Sequence, residues 1–482
     1  MDKNVEIKEM TGFIDAFGLS DNGSDDSVCV NRLTVHTDEE FLDLRAELIR
    51  DSLQQDSFAS GIRKLASICN ESEKKCADCP VRKYCNTFVL DKRKNISDDA
   101  LTMVDMFCGA GGLSLGFIQE GFVTRLANDI QECCVDTYAH NHPETPRNRI
   151  VLGDIKEVVE KLDQLIGNER IDIVVGGPPC QGFSEANRQR IIDDPRNHLY
   201  KSFVEVVNRI NPPFFVMENV KGMLSVANQV IEDFNRIGYS VAAHVLNAKD
   251  FGVPQNRERL IYIGNRIGFD NELIFQEINR ISDEIPGTVL QDAIFGLRPL
   301  QASRSKNATN IDDEETGCLI EANREPLMNN YVSLINGSHY YPAVCNHKAR
   351  YNNDRDIEIF GRLNPGDRSD DPKIADIMPY GRRNGIFKDK YFKLEANKVC
   401  KTITAHMKFD CNMYIHPYQA RGLTPREAAR VQSYPDDYFF RGPYTKTFMQ
   451  IGNSVPPLLG RAIAKGIKSC LCSYRGKDKC KE

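Results

Sequence analysis

Short apolar runs recur through the middle of the chain and alternate with amphipathic stretches. Between residues 101 and 266 the runs read LTMVDMF, VTRLAND, RIVLGD, IDIVVGG, FFVMENV and RLIYIGN, with helical stretches such as DTYAHNH and YKSFVEVVNRI among them. Short apolar runs are typical of strands covered on both faces, and their alternation with helices predicts an α/β fold with a mostly parallel sheet.

The flanking segments have other patterns. Residues 37–53 place apolar side chains at helical spacing behind Thr37 and Glu40, which predicts a capping box and a short helix. Residues 267–400 lose this periodicity, and helical patterns return at 423–432 and 456–471. We therefore divide the chain into an acidic arm, a cysteine-cluster extension, a larger domain, a smaller irregular domain and a C-terminal segment, over residues 1–60, 61–95, 101–266, 267–400 and 401–475.

Composition and charge indicate a soluble globular protein of 482 residues, 41% hydrophobic and 27% charged. No apolar run approaches the roughly 20 residues that cross a bilayer, and the N-terminus lacks a signal-peptide pattern, so we expect a cytoplasmic protein. The net charge is -6; residues 1–60 hold 14 acidic and 5 basic residues, a balance of -9, which leaves +3 for the remainder. A mildly basic body is compatible with a nucleic-acid partner and does not establish one.

Three predicted strands end in residues that suit a nucleoside. The first enters the glycine turn DMFCGAGG at 105–112, where a ligand can approach backbone amides at a helix N-terminus. The second ends at Asp129, about 20 residues later, where a carboxylate can accept hydrogen bonds from ribose hydroxyls. Asp154 ends the third and could accept from an exocyclic amine. The alternative is a fold without a pocket, in which these aspartates only cap helices.

A cysteine follows the fourth strand in the sequence GGPPCQGFS at 176–184. A lone cysteine is more often a buried core residue, but two prolines set Cys180 on an exposed turn, as a nucleophile requires. Glu218 ends the next strand, and because adjacent ends of parallel strands lie side by side, we expect it near Cys180. The segment QNRER, with Arg257 and Arg259, leads into the following strand.

These motifs, in this order, resemble those of the DNA (cytosine-5) methyltransferases. The resemblance covers about residues 101–266 and 400–470, and RGLTPRE at 421–427 and QIGNSVPP at 450–457 complete it. It implies a Rossmann-like, S-adenosylmethionine-dependent methyltransferase domain that acts on carbon 5 of cytosine in double-stranded DNA. It also implies that residues 267–400 form a target-recognition domain and that the C-terminal segment returns beside the first helix.

The resemblance implies a role for each catalytic residue. Cys180 would add as a thiolate to C6 of a cytosine flipped out of the duplex. Glu218 would hydrogen-bond the N3 and amino edge of the base, and Arg259 would hold its O2 atom. Arg257 would help to order the loop and would contact the backbone.

The resemblance also implies the residues that surround S-adenosylmethionine. The methionine moiety would be surrounded by Phe107, Gly109, Gly111 and Leu113, and the ribose would be bound by Asp129. The adenine would contact Ile130, Asp154 and Ile155. The remaining walls would be formed by Pro178, Leu199, Asn453 and Val455.

Four cysteines lie close together ahead of the larger domain. Cys69, Cys76, Cys79 and Cys85 have the spacing C-x6-C-x2-C-x5-C, which in a cytosolic chain indicates a metal site. This spacing resembles the iron–sulfur loop of endonuclease III-like DNA glycosylases, over this stretch alone. The resemblance implies a [4Fe–4S] cluster, with structural zinc as the alternative. We expect the loop to set its basic side chains against a DNA backbone, namely Lys74, Lys75, Arg82 and Lys83.

Two other functions are compatible with the sequence. A tRNA cytosine-5 methyltransferase uses the same scaffold, although Gly182, Phe183 and Ser184 fit the DNA branch. A non-catalytic DNA-binding subunit would keep the fold but lose the nucleophile, the glutamate or the cofactor residues, and all of these are present. We expect a monomer of the restriction–modification kind, without membrane association, whose partners are a cognate restriction endonuclease or defence-system proteins.

Overall fold

Five helices precede the first strand of the computed structural model, which describes residues 3–18, 27–65, 68–69, 76, 79–179, 199–322, 327–337, 343–379 and 390–476. The helices are α1 (Lys3–Phe17), α2 (Ser27–Leu33), α3 (Glu40–Ser52), α4 (Asp56–Leu65) and α5 (Asn86–Lys94). Apolar residues of the first four share one core with Val81 and Tyr84 of the cysteine-bearing segment. The predicted acidic arm is therefore a set of packed helices, and the boundary placed at residue 60 falls inside α4.

Helix α3 begins near the predicted position, but its predicted capping box does not form. Its N-cap residue is Glu39, whose side chain makes no capping hydrogen bond. The Thr37 hydroxyl accepts from the backbone N–H of Glu39 at 3.0 Å, ahead of the helix. Thr37 lies two residues before the N-cap, which is too early for the reciprocal bonds that such a box requires.

A seven-stranded sheet forms the centre of the molecule, in the order β3-β2-β1-β4-β5-β8-β6. Strands β1 to β5 pair in parallel, whereas β8 runs antiparallel to β5 and β6. The prediction of an α/β fold with a mostly parallel sheet is confirmed. The strands are β1 (Leu101–Met106), β2 (Phe122–Asp129), β3 (Ile150–Leu152), β4 (Ile173–Gly176), β5 (Phe214–Val220), β6 (Ser240–Asn247) and β8 (Glu258–Asn265), and the short β7 (Gln255–Asn256) lies outside this sheet.

Helices on both faces of this sheet enclose two apolar cores. Those up to residue 236 are α6 (Gly112–Gln119), α7 (Glu132–Asn141), α8 (Ile155–Glu160), α9 (Leu162–Ile166), α10 (Leu199–Ile210) and α11 (Ala227–Arg236). Helix α12 (Asn271–Asp283) adds Ile274, Phe275 and Ile278 to the larger core. This layer of helices therefore continues past residue 266, where the domain boundary was predicted.

The remaining elements follow α12 along the chain. They are α13 (Leu290–Ile294), β9 (Gly317–Ala322), α14 (Asn330–Asn336), β10 (Ala343–Lys348), α15 (Asp354–Arg362), β11 (Cys400–Lys401), α16 (Pro425–Val431), α17 (Tyr444–Asn453) and α18 (Pro457–Tyr474). Strands β9 and β10 form an antiparallel pair, and β11 pairs with β7, which consists of the first two residues of the QNRER segment. Within the described ranges, no helix is both long and apolar enough to cross a membrane.

The C-terminal helix α18 packs directly against α6. A Cβ on Gly116 would lie 2.3 Å from the backbone nitrogen of Arg461 and 2.5 Å from the carbonyl carbon of Gly460. A Cβ on Gly112 would lie 2.3 Å from the carbonyl oxygen of Val455. The two helices therefore meet backbone to backbone, and only glycine fits at these positions on α6.

We expect Gly116→Ala to lower the free energy of unfolding by roughly 3 kcal/mol or more, because the added methyl group meets backbone that cannot move aside. Gly361→Ala is the matched control: Gly361 lies in α15 and a Cβ there would meet nothing within 4 Å. The control should stabilise the protein by up to about 1 kcal/mol. Urea unfolding measures both, and equal effects of the two substitutions would contradict the close contact.

Candidate active site and cofactor pocket

The order of strands reverses between β1 and β4, so two turns lie side by side at the carboxyl edge of the sheet. Met106 at the end of β1 pairs with Gly176 at the end of β4. Strand β1 continues into the glycine turn, and strand β4 continues into the turn of Pro178 and Pro179. Open α/β sheets bind ligands at such a switch point.

The glycine turn has a constrained backbone and one open face. Phe107 adopts a left-handed conformation with φ 58°, which is unusual for a residue with a side chain, and Gly111 has φ 82°. A Cβ on Gly111 would lie 2.8 Å from the hydroxyl oxygen of Tyr438, whereas one on Gly109 would meet nothing within 4 Å. The turn therefore packs against the protein at Gly111 and is open at Gly109. A backbone that binds a ligand needs such an open position.

Asp129 is the last residue of β2, Asp154 follows β3, and both accept hydrogen bonds from backbone amides. Asp129 accepts from the N–H of Gly109 at 2.9 Å and of Gln131 at 2.8 Å, and burial raises its pKa. Asp154 caps α8 by accepting from the N–H of Lys156 at 2.9 Å. Asp129 thus links β2 to the glycine turn. Asp154 caps a helix, as the alternative without a pocket predicted.

The other predicted cofactor residues differ in how exposed they are. Ile130 is 62% exposed at the edge of the sheet, so a flat ligand could cover it. By contrast, Ile155 and Leu113 are 3% and 5% exposed and contribute their side chains to the cores. Pro178 is buried and Leu199 is partly buried. Asn453 is exposed at the end of α17, and Val455 lies beside Gly112.

Glu218 and Arg259 form an ion pair beside the proline turn. Arg259 Nε lies 2.7 Å from Glu218 Oε1, and the two side chains are 14% and 11% exposed. A Cβ on Gly177 would lie 2.9 Å from the other Glu218 oxygen, and Asn219 donates to the Pro178 carbonyl at 3.0 Å. Glu218 therefore faces the turn that leads to Cys180, while Cys180 itself lies outside the described residues.

Comparison with known proteins agrees with this geometry. The family model for C-5 cytosine-specific DNA methylases matches residues 101–469. The chain belongs to this family. It is 34% identical over 393 residues to the type II methyltransferase M1.HphI of Haemophilus parahaemolyticus, with 80% of this chain and 91% of that protein covered. It is 31% identical to M.AgeI of Thalassovita gelatinovora, with 76% and 98% covered.

A solved structure shares the fold of this DNA methylase. It is a protein assigned as a DNA modification methyltransferase encoded within a prophage (E. coli), with a TM-score of 0.60, 25% identity, and 77% of this chain and 99% of that chain covered. The reaction of the chain is methyl transfer to carbon 5 of cytosine in DNA.

Arg257 points into the methylase and not toward solvent. Its side chain is 0% exposed, with Nη1 donating to the carbonyl of Ile403 at 2.8 Å and Nη2 to that of Gly452 at 3.0 Å. Both acceptors belong to the protein backbone. The guanidinium thereby joins the QNRER segment to the C-terminal segment, and the expected role of Arg257 in ordering the loop stays a prediction.

Three further arginines of the C-terminal segment are buried, and the sequence reasoning assigned them no role. Arg421 forms two hydrogen bonds with Glu427 at 2.8 and 2.7 Å, and Arg430 forms two with Asp436 at 2.7 and 2.8 Å. Arg426 donates to three backbone carbonyls, including that of Tyr438 at 2.6 Å. For Arg421 and Arg430 the available signal was a carboxylate six residues further along the chain, whereas Arg426 has no such signal.

A fifth cysteine joins the four of the predicted metal site. Cys29 on α2 lines a small cavity of about 30 Å³ together with Cys69, Cys76, Cys79 and Cys85. Burial raises the pKa of Cys79 to about 12 and of Cys85 to about 11. Among the described residues, no group of three or more His, Cys, Asp or Glu side chains is arranged to hold a metal ion, so the predicted iron–sulfur cluster is not confirmed.

Arg82 and Lys83, two of the four basic residues that were expected to face a DNA backbone, contact protein groups instead. Arg82 Nη2 lies 2.8 Å from Asp437 Oδ2, and Lys83 Nζ donates to Asn141 Oδ1 at 2.9 Å. Both side chains are largely buried against the catalytic domain, because carboxylate and amide oxygens of that domain face them. Lys74 and Lys75 lie outside the described residues.

Asp105, beneath the glycine turn, should make stability depend on pH. Burial raises its pKa from 3.8 to about 7, and its carboxylate accepts from the Ser114 hydroxyl. A raised carboxyl pKa means that the folded state binds the proton more tightly. The stability contribution is therefore greatest below pH 4 and declines as pH rises toward 7, by on the order of 4 kcal/mol.

Asp105→Asn removes this titration, so the variant should gain stability relative to the wild type as pH rises from 5 to 8. Urea unfolding of both proteins across that range measures the difference. Parallel curves of stability against pH would contradict the buried titration.

Proposed function

We propose that the protein is a sequence-specific DNA methyltransferase that acts through a covalent adduct between Cys180 and a flipped-out cytosine. The observation that carries this proposal is the Glu218–Arg259 ion pair, which faces the turn leading to Cys180 at the switch point of the sheet. A carboxyl and a guanidinium side by side match the polar edge of cytosine, where N3 and the amino group adjoin O2.

The chain's own residues supply the activation of the base. The Cys180 thiolate forms a bond to C6, which makes C5 nucleophilic, while Glu218 places a proton at N3 and stabilises the adduct. Arg259 donates to O2 and holds the ring against Glu218. After methyl transfer the C5 proton passes to solvent water, and the electron pair of the C5–H bond restores the C5–C6 double bond. The C6–sulfur bond breaks, which regenerates the thiolate, and the N3 proton returns to Glu218.

S-adenosylmethionine supplies the methyl group when bound, and the glycine turn fits it. Gly109 offers an open backbone face, and Asp129 keeps its carboxylate at the neighbouring strand end. Ile130 offers an exposed apolar surface for the adenine, while Asn453 and Val455 approach from the C-terminal segment. In this arrangement Ile155 and Leu113 support the pocket from the core, and Phe107, Gly111, Asp154, Pro178 and Leu199 complete its walls.

Target reading is assigned to the segment between α13 and β11, which lies outside the main sheet. The sequence of this segment includes NPGDR at 364–368 and YGRRNG at 380–385, whose arginines suit contacts to phosphates and to base edges in the major groove. Arg426 donates to the Cys345 carbonyl of β10 at 2.7 Å, which ties this segment to the C-terminal helices. We propose that the enzyme acts as a monomer and protects DNA within a restriction–modification system, as the type II relatives suggest.

Bisulfite sequencing of plasmid DNA from a host that expresses the protein tests this function. We expect 5-methylcytosine within one short recurrent sequence, and none with Cys180→Ala. Glu218→Gln should lower the methylation rate by about 100-fold or more, since it removes the proton donor. Cys470→Ser, near the end of α18, is the matched cysteine control and should retain activity.

Absence of cytosine methylation in plasmid DNA, with folded protein that binds S-adenosylmethionine, would overturn the DNA proposal and favour a tRNA substrate. Methylation that survives Cys180→Ala would instead overturn the covalent mechanism.

A second proposal concerns the cysteine cavity, which we infer to hold a [4Fe–4S] cluster, with zinc as the alternative. Five cysteines from α2 and from residues 69–85 line one small cavity, and thiolates are the ligands that both centres use. Arg32 Nη1 lies 3.4 Å from Cys69 Sγ, so a cation is already placed to balance thiolate charge.

Elemental analysis of the full chain, purified without oxygen, tests this site. Iron with acid-labile sulfide would establish a cluster, zinc alone would establish the alternative, and neither metal would overturn the proposal. Cys79→Ser should lose the metal, whereas Cys318→Ser, outside the cavity, should keep it.

A further inference from the structure

Arg82 and Lys83 connect the cysteine-bearing segment to the catalytic domain. Both belong to the turn Arg82–Tyr84, between two of the cysteines that line the cavity. Arg82 pairs with the Asp437 carboxylate at 2.8 Å, and Lys83 donates to Asn141 Oδ1 at 2.9 Å and to the Asp437 carbonyl. Their side chains are 15% and 14% exposed, so these contacts are internal to the protein.

The residue after Asp437 is Tyr438, and its side chain contacts the glycine turn. The Tyr438 hydroxyl donates to the carbonyl oxygen of Ala110, and it lies 3.0 Å from His142 Nε2. A Cβ on Gly111 would lie 2.8 Å from the same hydroxyl, so the turn rests directly on this side chain. A shift of Tyr438 therefore moves the backbone of the glycine turn.

Asn141 couples the two sets of contacts. It receives the Lys83 ammonium on Oδ1, and the same oxygen accepts from the N–H of Phe439 at 3.0 Å. Its Nδ2 donates to the carbonyl of Phe439 at 2.8 Å. The loop that carries Asp437 is thus fixed on both sides of Tyr438, and Lys83 contacts both Asp437 and Asn141.

We propose that Lys83 is a positioning residue for S-adenosylmethionine, through which the cysteine-bearing extension fixes the glycine turn by way of Asp437 and Tyr438. This inference rests on the proposed role of the glycine turn in binding that molecule. A turn held in one geometry presents its amides already oriented, which lowers the cost of binding. Loss of Lys83 raises the Kd for S-adenosylmethionine and leaves the chemical step unchanged at saturation.

Calorimetric titration of the purified full-length protein with S-adenosylmethionine tests the inference. Lys83→Met, which keeps the chain length and removes the charge, should raise the Kd by about tenfold, as should Tyr438→Phe. The double variant should bind no more weakly than either single variant, because both changes release the same contact to the turn. Arg50→Met, an exposed arginine on α3, is the control and should bind like the wild type.

Steady-state methylation of a DNA duplex supplies the second readout. For Lys83→Met we expect a raised KM for S-adenosylmethionine with an unchanged kcat, whereas general loss of folded protein would lower kcat alone. If Lys83→Met does not fold, Arg82→Gln removes one ion pair to Asp437 and should raise the Kd in the same direction by less.

A Kd for folded Lys83→Met within twofold of the wild-type value would overturn the inference, and so would additive effects in the double variant. Wild-type protein that does not bind S-adenosylmethionine at all would overturn the proposed cofactor pocket itself. The two failures are therefore distinguishable.

Discussion

Direct backbone contact between α6 and α18 brings the two ends of the catalytic domain together, and the proposed cofactor pocket depends on it. Because Gly112 and Gly116 lack a Cβ, the backbone around Val455 and Gly460 can approach the first turns of α6. Two walls of one pocket thereby come from opposite ends of the domain. A side chain at either glycine would separate these walls and move Asn453 away from the sheet edge.

Buried arginines fix the segments that have little regular structure. Arg421 and Arg430 each bind a carboxylate through two hydrogen bonds, and Arg426 and Arg257 bind backbone carbonyls. Burial of a guanidinium costs free energy unless its donors are paired, so such contacts favour one loop geometry more than they add stability. The loop around Tyr438 is held by Arg426 from one side and by Lys83 from another. The N-terminal helices thereby belong to the same network as the glycine turn.

The active site combines a rigid edge with residues that act as a pair. Strand β5 carries Glu218, and the adjacent antiparallel strand β8 carries Arg259. Glu218 pairs with Ile261 and Arg259 pairs with Val220, so the two charged residues are diagonal neighbours across the strands. The ion pair thus lies on the sheet itself, where packing on both faces limits its motion. Rigid placement of a carboxyl and a guanidinium lowers the cost of orienting a flipped base.

The sequence by itself determined the mostly parallel sheet and the residues that end its strands, because strand period and the glycine and proline turns are local properties. The parallel topology then brings the glycine turn, Asp129, the proline turn and Glu218 to one edge. Only the tertiary structure decided that Arg257 and Lys83 point inward, that Cys29 joins the other cysteines, and that the N-terminal helices share a core. Whether a charged side chain faces water or a buried partner depends on groups far away in the chain, and a local sequence pattern does not include those groups.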